Sequence, residues 1–118
     1  MVLARQRART IAALLGFEAQ DQTRLATATS EIARNAFRYA QGGQVDFVLE
    51  GRTAPQVLLI RVTDRGRGIP ALARILRSEY QSPTGMGLGL VGARRLVDRF
   101  QIDTAPSGTT VWLRKLLP

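Results

Sequence analysis

Four polar side chains along one stretch of the sequence, residues 27–40, could do chemistry together. Glu31, Arg34, Asn35 and Arg38 stand at positions i, i+3, i+4 and i+7, which form a single stripe if the stretch is helical. Asn is a weak helix former and costs up to about 0.7 kcal/mol relative to Ala, so its position needs a reason. One reason is a binding role. The other is a solvated face in which Glu31 pairs with Arg34, worth only about 0.3 kcal/mol.

A glycine-rich stretch, TGMGLGLVGARRL at residues 84–96, forms a second candidate. Gly85, Gly87 and Gly89 lead into a predicted helix start, where bare backbone N–H groups and a positive helix terminus favour phosphate. Glycine-rich loops are common, so this feature alone does not define a site. The P-loop motif is absent, and the preceding residues read as loop where a dinucleotide fingerprint needs a strand. A eukaryotic protein-kinase arrangement is excluded, because the only lysine is the distant Lys115.

A carboxylate, Asp64, is the third candidate. It follows the apolar segment 56–63, which predicts a buried strand, and it precedes Gly66 and Gly68. A carboxylate at such a strand end, with glycines that allow close approach, is suited to accept a hydrogen bond from an exocyclic amine such as that of adenine. An ordinary turn would use the same residue types.

Composition removes several classes of enzyme. The 118 residues include no cysteine and no histidine. Disulfide frameworks, thiolate nucleophiles, zinc knuckles, serine triads, histidine bases and a phosphorylatable histidine within this chain are therefore excluded. No apolar run approaches the ~20 residues of a membrane span, and the N-terminus carries charges where a signal peptide is apolar. We expect a cytoplasmic protein with no membrane partner.

The charge balance favours anionic partners. The net charge is +8, from 17 basic and 9 acidic residues. Nucleotide phosphates, acidic protein surfaces and nucleic acid would all suit it, as would a simple compositional preference for arginine on a repulsive surface. No basic run is interleaved with aromatic residues, so nucleic acid is the least favoured of these partners.

The first half of the chain predicts two helices and then two strands. Residues 2–15 read as a helix with Gly16 at its C′ position and Phe17 docking after the cap. A second helix is predicted from Asp21, as N-cap, to about residue 40. Residues 44–50 alternate so that Val45, Phe47 and Leu49 point inward, and residues 56–63 form a central strand.

The second half predicts a short helical stretch at 71–77, a helix from Leu88 to Phe100, and strands at 100–105 and 109–117 joined by the turn PSG. Early and late helices around four strands suited to antiparallel pairing predict a two-layer α+β sandwich. A chain of this length can bury roughly 65% of its unfolded surface, so we expect a single domain over residues 1–118.

The patterns E-x-x-x-N at residues 31–35, D-x-G-x-G at 64–68 and G-x-G-x-G at 85–89 occur in one order. Together they resemble the N, G1 and G2 boxes of the GHKL ATPases, the superfamily of gyrase, heat-shock chaperone, histidine kinase and MutL. The segment SGTT at 107–110 resembles the further threonine-bearing box of that domain. The resemblance spans about residues 4–116 and is strongest to the anti-sigma-factor serine/threonine kinases, in particular the RsbT-type switch kinases of stress signalling.

The resemblance implies a Bergerat-type ATP-binding fold, with helices on one face of a mostly antiparallel sheet. It implies that Glu31 is the general base and that Asn35 binds Mg²⁺, and the i, i+4 spacing suits this because it places both side chains on one helix face. Arg34 could touch phosphate, an acidic partner or only solvent. The nucleotide-binding residues that it implies are Asn35, Arg38, Asp64, Gly66, Gly68, Ile69, Gly85, Met86, Gly87, Leu88, Gly89, Leu90 and Thr109.

The implied function is transfer of the γ-phosphate of Mg-ATP to a serine or threonine of a small antagonist protein in stress or sigma-factor regulation. The implied partner is acidic: a STAS-type antagonist, a sigma factor or a regulatory phosphatase. Residues 71–84 would form a short lid over the nucleotide, with Pro83 and Gly85 as hinges. Two alternatives stay open: an ATP-gated binding module with little turnover, and the ATP-binding domain of a sensor histidine kinase.

The sequence departs from the switch-kinase pattern at its start. Members of that branch begin with a short strand, whereas this sequence begins inside or just before the first helix. Two explanations are open: the sequence is a fragment of a longer protein, or another chain supplies the edge strand.

Overall fold

The structure is a computed structural model that describes residues 2–40, 43–66 and 86–118. The helices of this part are α1 (Val2–Leu14), α2 (Ala19–Ala40) and α3 (Met86–Leu96), and its strands are β1 (Gln44–Glu50), β2 (Val57–Asp64), β3 (Arg99–Ala105) and β4 (Gly108–Leu116). The predicted helical stretch at 71–77, the lid at 71–84 and the hinge Pro83 lie outside the described residues.

Helix α1 ends as the sequence predicts. Gly16 has a φ of +90°, and its N–H donates to Ala13 O at 3.1 Å. The next N–H, that of Phe17, donates to Ala12 O at 3.0 Å, so the two bonds together form a Schellman cap. Phe17 then enters the core with 3% of its surface exposed. The prediction of Gly16 at C′ with Phe17 docked behind it is confirmed.

Helix α2 begins earlier than predicted. Its first residue is Ala19, and the N–H of Gln22 already donates to Glu18 O at 2.9 Å. Asp21 therefore lies in the first helical turn, and its prediction as the N-cap is wrong. Its carboxylate instead accepts from Arg24 at 2.8 Å, one turn further along. An acidic side chain is still favourable here because it faces the positive end of the helix dipole.

The four strands form one antiparallel sheet in the order β1-β2-β4-β3. The most apolar strand, β2, lies inside the sheet as predicted, since a strand of this composition is stable only where other elements cover it. Strand register aligns side chains in rows across the face that the helices cover. Two apolar rows are Val45, Val62, Val111 and Ile102, and Phe47, Ile60, Leu113 and Phe100.

The hydrophobic core lies between these rows and the helices. It joins side chains of β2 and β4 to those of all three described helices, including Ala8 and Ala12 of α1, Leu25, Ala28 and Ile32 of α2, and Leu90 and Ala93 of α3. Helix α2 contacts α1, α3 and β2, so it is the central element of the helical layer. The predicted two-layer α+β architecture is confirmed.

Two boundary details differ from prediction. Helix α3 ends at Leu96, and Phe100 belongs to β3, because the N–H of Asp98 already pairs with Arg114 O at 3.0 Å and draws the chain into the sheet. Leu49 shares a face with Phe47 but is 46% exposed, so its predicted inward burial is wrong. Leu49 is the penultimate residue of an edge strand, where the sheet has a neighbour on one side only.

The opposite face of the sheet carries charged cross-strand pairs. Arg61 pairs with Asp46 at 3.3 Å, and Arg114 pairs with Glu50 at 2.9 Å. A hydrogen bond from Gln44, followed by the Arg61 guanidinium, lowers the pKa of Asp46 below its ordinary value. Within the described ranges, no helix is long and apolar enough to cross a membrane.

Candidate functional site

One end of the helix-covered sheet face is polar. Asp64 ends β2, and the sheet register places it opposite Thr109 of β4, which in turn lies opposite Thr104 of β3. These three residues, the Asp64 row, lie directly beyond the apolar row that contains Val62 and Val111. Because side chains alternate along a strand, all three lie on the side of the sheet that faces the helices.

The Asp64 carboxylate is held through one oxygen. Its Oδ1 accepts from the Gly66 N–H at 2.9 Å and from the Thr109 N–H at 3.2 Å. Between residues that the structure describes, no hydrogen bond ends on Oδ2. The first oxygen thus fixes the carboxylate, while the second keeps its lone pairs for a donor outside the described protein. The structure therefore brings Asp64, Gly66 and Thr109 together.

Gly108 makes this close approach of β4 to β2 possible. It has a φ of +148°, and a Cβ built on it would lie 2.3 Å from Asp64 O and 3.1 Å from the Arg65 Cα. A side chain at residue 108 would therefore push β4 away from the carboxylate. Gly108 is a site residue that was not predicted from the sequence, although it lies inside SGTT directly before Thr109.

Thr104 is a second site residue that was not predicted from the sequence. Its Oγ1 lies 2.8 Å from the Thr109 Oγ1, within hydrogen-bonding distance. The alternation of β3 gives a signal, because Thr104 shares the inward phase of Phe100 and Ile102. The pairing partner across the sheet could not be read from the sequence, since it depends on strand register.

The other end of the same sheet face carries a lysine. Lys115 Nζ lies 3.5 Å from Asp98 Oδ1 and 3.7 Å from Asp21 Oδ1, and its side chain is only 12% exposed. Arg24 completes this group, the Lys115 cluster, by pairing with Asp21. The hydrogen bond from Arg24, with a smaller contribution from Lys115, lowers the pKa of Asp21 below its ordinary value of 3.8. The only lysine of the chain thus has a structural role far from the Asp64 row.

The Lys115 cluster lies at the start of α2. This helix starts beside Lys115, because Asp21 lies in its first turn. From Asp21 to Asn35 the helix advances about 21 Å at 1.5 Å per residue. Along β4, Lys115 and Thr109 are about 20 Å apart at 3.3 Å per residue. Helix α2 is therefore long enough to extend from the Lys115 cluster to the level of the Asp64 row.

Glu31, in the second half of α2, is partly covered, with 27% of its side chain exposed. Its Oε2 is paired with the guanidinium of Arg34, which is 50% exposed. The structure therefore contains the Glu31–Arg34 pair of the solvated-face interpretation. Asn35 and Arg38 belong to α2, and only their backbone is part of the described structure.

The C-terminal end of helix α3 also lies next to the Lys115 cluster. The helix ends two residues before Asp98, whose carboxylate contacts Lys115 and accepts the Leu116 N–H at 2.7 Å. Its first turn is therefore the part of the helix farthest from the Lys115 cluster. The positive end of a helix dipole lies at this first turn.

The predicted glycine motif is only partly described. Met86, Gly87, Leu88 and Gly89 form the first turn of α3, with side chains outside the described part, so the helix begins two residues earlier than predicted. Leu90 is 1% exposed and packs in the core. Gly68, Ile69 and Gly85 lie outside the described residues.

Comparison with known proteins gives a family and a relative for this chain. Residues 20–118 match the family of histidine kinase-, DNA gyrase B-, and HSP90-like ATPases. The chain is 38% identical over 119 residues to the serine/threonine-protein kinase RsbT of Bacillus subtilis (strain 168), an alignment that covers 97% of this chain and 90% of RsbT.

Solved structures share the fold at lower identity. The mycobacterial sensor histidine kinase MprB has a TM-score of 0.62 at 23% identity, covering 81% of this chain and 72% of that chain. Full-length ShkA in complex with AMPPNP has a TM-score of 0.63 at 20% identity, covering 98% of this chain and 29% of that chain. A histidine kinase domain from Erythrobacter litoralis has a TM-score of 0.58 at 22% identity, covering 94% and 62% of the two chains. The chain therefore belongs to the family of histidine kinase-, DNA gyrase B-, and HSP90-like ATPases.

Proposed function

We propose that this chain is an ATP-dependent serine/threonine-protein kinase of the switch-kinase type, acting on a small antagonist protein in the cytoplasm. The observation that carries the proposal is the 38% identity to the kinase RsbT across 97% of the chain. The geometry of the Asp64 row supports nucleotide binding at the end of the sheet. The absence of histidine from the sequence disfavours phosphorylation of a histidine within this chain.

Asp64 would recognise the adenine. Its Oδ1 is used by Gly66 and Thr109, and its Oδ2 can accept from the exocyclic amine of the base. The backbone N–H of Thr109 is already used by Asp64, so Thr109 would reach the base through its hydroxyl, by way of one water. A carboxylate fixed by two protein donors needs no reorganisation when the base binds.

The phosphates would lie toward the first turn of α3, where unpaired N–H groups and the helix dipole favour anions. Asn35 would hold Mg²⁺ together with phosphate oxygens and water. The donor chemistry fits, because an amide oxygen is a ligand that Mg²⁺ accepts, and Mg²⁺ in phosphoryl-transfer sites commonly uses few protein oxygens. Bound there, Mg²⁺ would neutralise phosphate charge during transfer.

Glu31 would act as the general base. The substrate hydroxyl oxygen attacks the γ-phosphorus, the bond from that phosphorus to the β,γ-bridging oxygen breaks, and the hydroxyl proton passes to the Glu31 carboxylate. The Arg34 pair holds that carboxylate on the surface of α2 before substrate arrives. Since Arg34 is half-exposed, an incoming partner protein can replace it beside the Glu31 carboxylate at little cost in free energy.

An acidic partner is proposed from the distribution of charge. Helix α1 presents Arg5, Arg7 and Arg9 on its exposed surface and contains no acidic residue. The whole chain carries +8. Such a surface would accelerate association with a negatively charged antagonist, sigma factor or regulatory phosphatase, most strongly at low salt.

Incubation of the chain with γ-labelled ATP, Mg²⁺ and candidate acidic antagonist proteins tests the proposal. We expect label on a serine or threonine of one antagonist. Glu31→Ala should reduce the transfer rate by about 100- to 10,000-fold and leave ATP affinity nearly unchanged, because a general base acts mainly in the transition state.

Glu18→Ala is the matched control, because Glu18 is exposed next to the other end of α2 and contacts the described helix through its backbone carbonyl, which accepts from the Gln22 N–H. It should transfer phosphate at the wild-type rate. A chain that binds ATP and regulates its partner equally well with and without Glu31 would instead be an ATP-gated binding module.

A further inference from the structure

Thr104 belongs to the Asp64 row but is not part of the motifs that predict nucleotide binding. Sheet register places it opposite Thr109, and the two Oγ1 atoms are 2.8 Å apart. Thr109 is 6% exposed, whereas Thr104 is partly exposed. The Thr104 hydroxyl is therefore a hydrogen-bond partner for the Thr109 hydroxyl, which is nearly inaccessible to bulk water.

The hydroxyl of Thr109 has one proton, and its partner decides where that proton points. The backbone N–H of Thr109 is fixed on Asp64 at 3.2 Å, so the hydroxyl is the group of Thr109 that remains available to a ligand. If Thr104 donates to Thr109, the Thr109 proton is directed away from β3. Thr109 then serves as a donor beside the acceptor Oδ2 of Asp64.

We propose that Thr104 is a positioning residue for base selection. Its hydroxyl fixes the Thr109 hydroxyl as a donor, so that Thr109 and Asp64 together select adenine over guanine. This inference rests on the proposed function, because it assumes that the Asp64 row binds the base of ATP.

The chemistry of the two purines supports this selection. Adenine presents an amine donor next to a ring-nitrogen acceptor, whereas guanine presents a carbonyl acceptor next to a ring N–H. Asp64 accepts from the adenine amine, and a bridging water that accepts from Thr109 and donates to Asp64 keeps one proton for the adenine ring nitrogen. Guanine would face Asp64 with an acceptor, and such a mismatched buried group rejects a ligand strongly. Without Thr104, the Thr109 hydroxyl can rotate and accept from the water, which then has no proton left for the adenine ring nitrogen but can still accept from the ring N–H of guanine.

Calorimetric titration of the Thr104→Val, Thr104→Ser and Thr110→Val variants with Mg-ATP and Mg-GTP tests the inference. Thr104→Val should weaken ATP binding by about 3- to 10-fold while GTP binding falls less or improves, so the ATP-to-GTP affinity ratio drops. Thr104→Ser keeps the hydroxyl and should restore the wild-type ratio. Thr110, the next residue of β4, lies on the opposite face, so Thr110→Val should leave both affinities unchanged.

Thr109→Val and the double variant test whether Thr104 acts through Thr109. We expect Thr104→Val to have no further effect on the ratio once Thr109 is valine, since the hydroxyl that it positions is gone. Thr104→Ala replaces Thr104→Val in both experiments if the valine variant does not fold.

Three results would overturn the inference. Equal weakening of ATP and GTP by Thr104→Val would indicate a purely structural role. Additive effects of the two substitutions in the double variant would show that Thr104 does not act through Thr109. If wild-type protein fails to bind either nucleotide, the proposed function falls as well, whereas the first two results leave it intact.

Discussion

The two ends of the helix-covered sheet face differ in how their polar groups are used. In the Lys115 cluster, two basic and two acidic side chains pair with one another, and Asp98 also accepts a backbone N–H. In the Asp64 row, the carboxylate is fixed through one oxygen, and no hydrogen bond among the described residues reaches the other. Two apolar rows separate these ends.

This difference shows which polar residues serve the fold and which are available for a ligand. A buried charge is stable when partners satisfy it, so the Lys115 cluster can be explained by packing α2 and α3 against β4. A carboxylate that is held but left with an unused acceptor at the end of an apolar core is typical of a binding site. Four substitutions test this comparison, two of them with a matched control variant.

The largest effect should come from Asp64→Asn. Mg-ATP at about 100 times its dissociation constant should stabilise the wild-type chain by about 2.7 kcal/mol, and the variant should lose most of this gain. The asparagine amide can still accept from Gly66 and Thr109, but it presents a donor where the adenine amine needs an acceptor. Thermal unfolding with and without Mg-ATP measures the change.

Asp98→Asn is the control for that experiment, because it changes the same residue type at the other end of the sheet. It should keep the full gain from Mg-ATP even if the unliganded protein melts earlier. An Asp64→Asn protein with a normal gain would remove Asp64 from the nucleotide site.

Gly108→Ala should lower the free energy of unfolding by about 2–3 kcal/mol, because it combines a positive φ with a backbone clash next to Asp64. Gly16→Ala is the matched control. Gly16 also has a positive φ, but a Cβ there would meet nothing within 4 Å, so its cost should be about 1 kcal/mol. Urea unfolding of both variants gives the comparison, and equal costs would show that the close approach at residue 108 is unimportant.

Lys115→Met should lower the free energy of unfolding by only about 0.5–1 kcal/mol, because Asp21 keeps Arg24 and Asp98 keeps the Leu116 N–H. Methionine preserves most of the buried apolar stem, and the difference from wild type should shrink as salt is added. The gain from Mg-ATP should be unchanged. A reduced gain would mean that the two ends of the sheet are not independent.

The smallest effect should be the acid dependence of Asp21→Asn. The pKa of Asp21 is lowered in the folded protein, chiefly by the hydrogen bond from Arg24, so its contribution is present above its ordinary value of 3.8 and is lost as the pH falls through the lowered folded value. At neutral pH we expect a difference of about 0.3–0.5 kcal/mol from wild type, decreasing toward pH 3. Urea unfolding across this range measures it; a difference that grows with acid would contradict the stated pKa direction.

Residues next to each other in the chain were the easiest to predict. Gly16 and Phe17 form the predicted cap because all its hydrogen bonds close within six residues. Strand β2 was recognised because its apolar composition needs a central position. The start of α2 was missed because Asp21 resembles an N-cap, whereas its carboxylate pairs with Arg24 and with a lysine 94 positions further along the chain.

For the candidate site, the sequence itself determined the residue types: a glutamate and an asparagine one helical turn apart, an aspartate after an apolar strand, and glycines before a helix. These depend on local spacing and on composition. Only the tertiary structure decided that Asp64 bonds to the backbone of Thr109, that Thr109 meets Thr104, and that Gly108 must lack a side chain. Those contacts depend on strand register, which brings Asp64 and Thr109 together across 45 positions of the chain and is fixed by packing of the whole core.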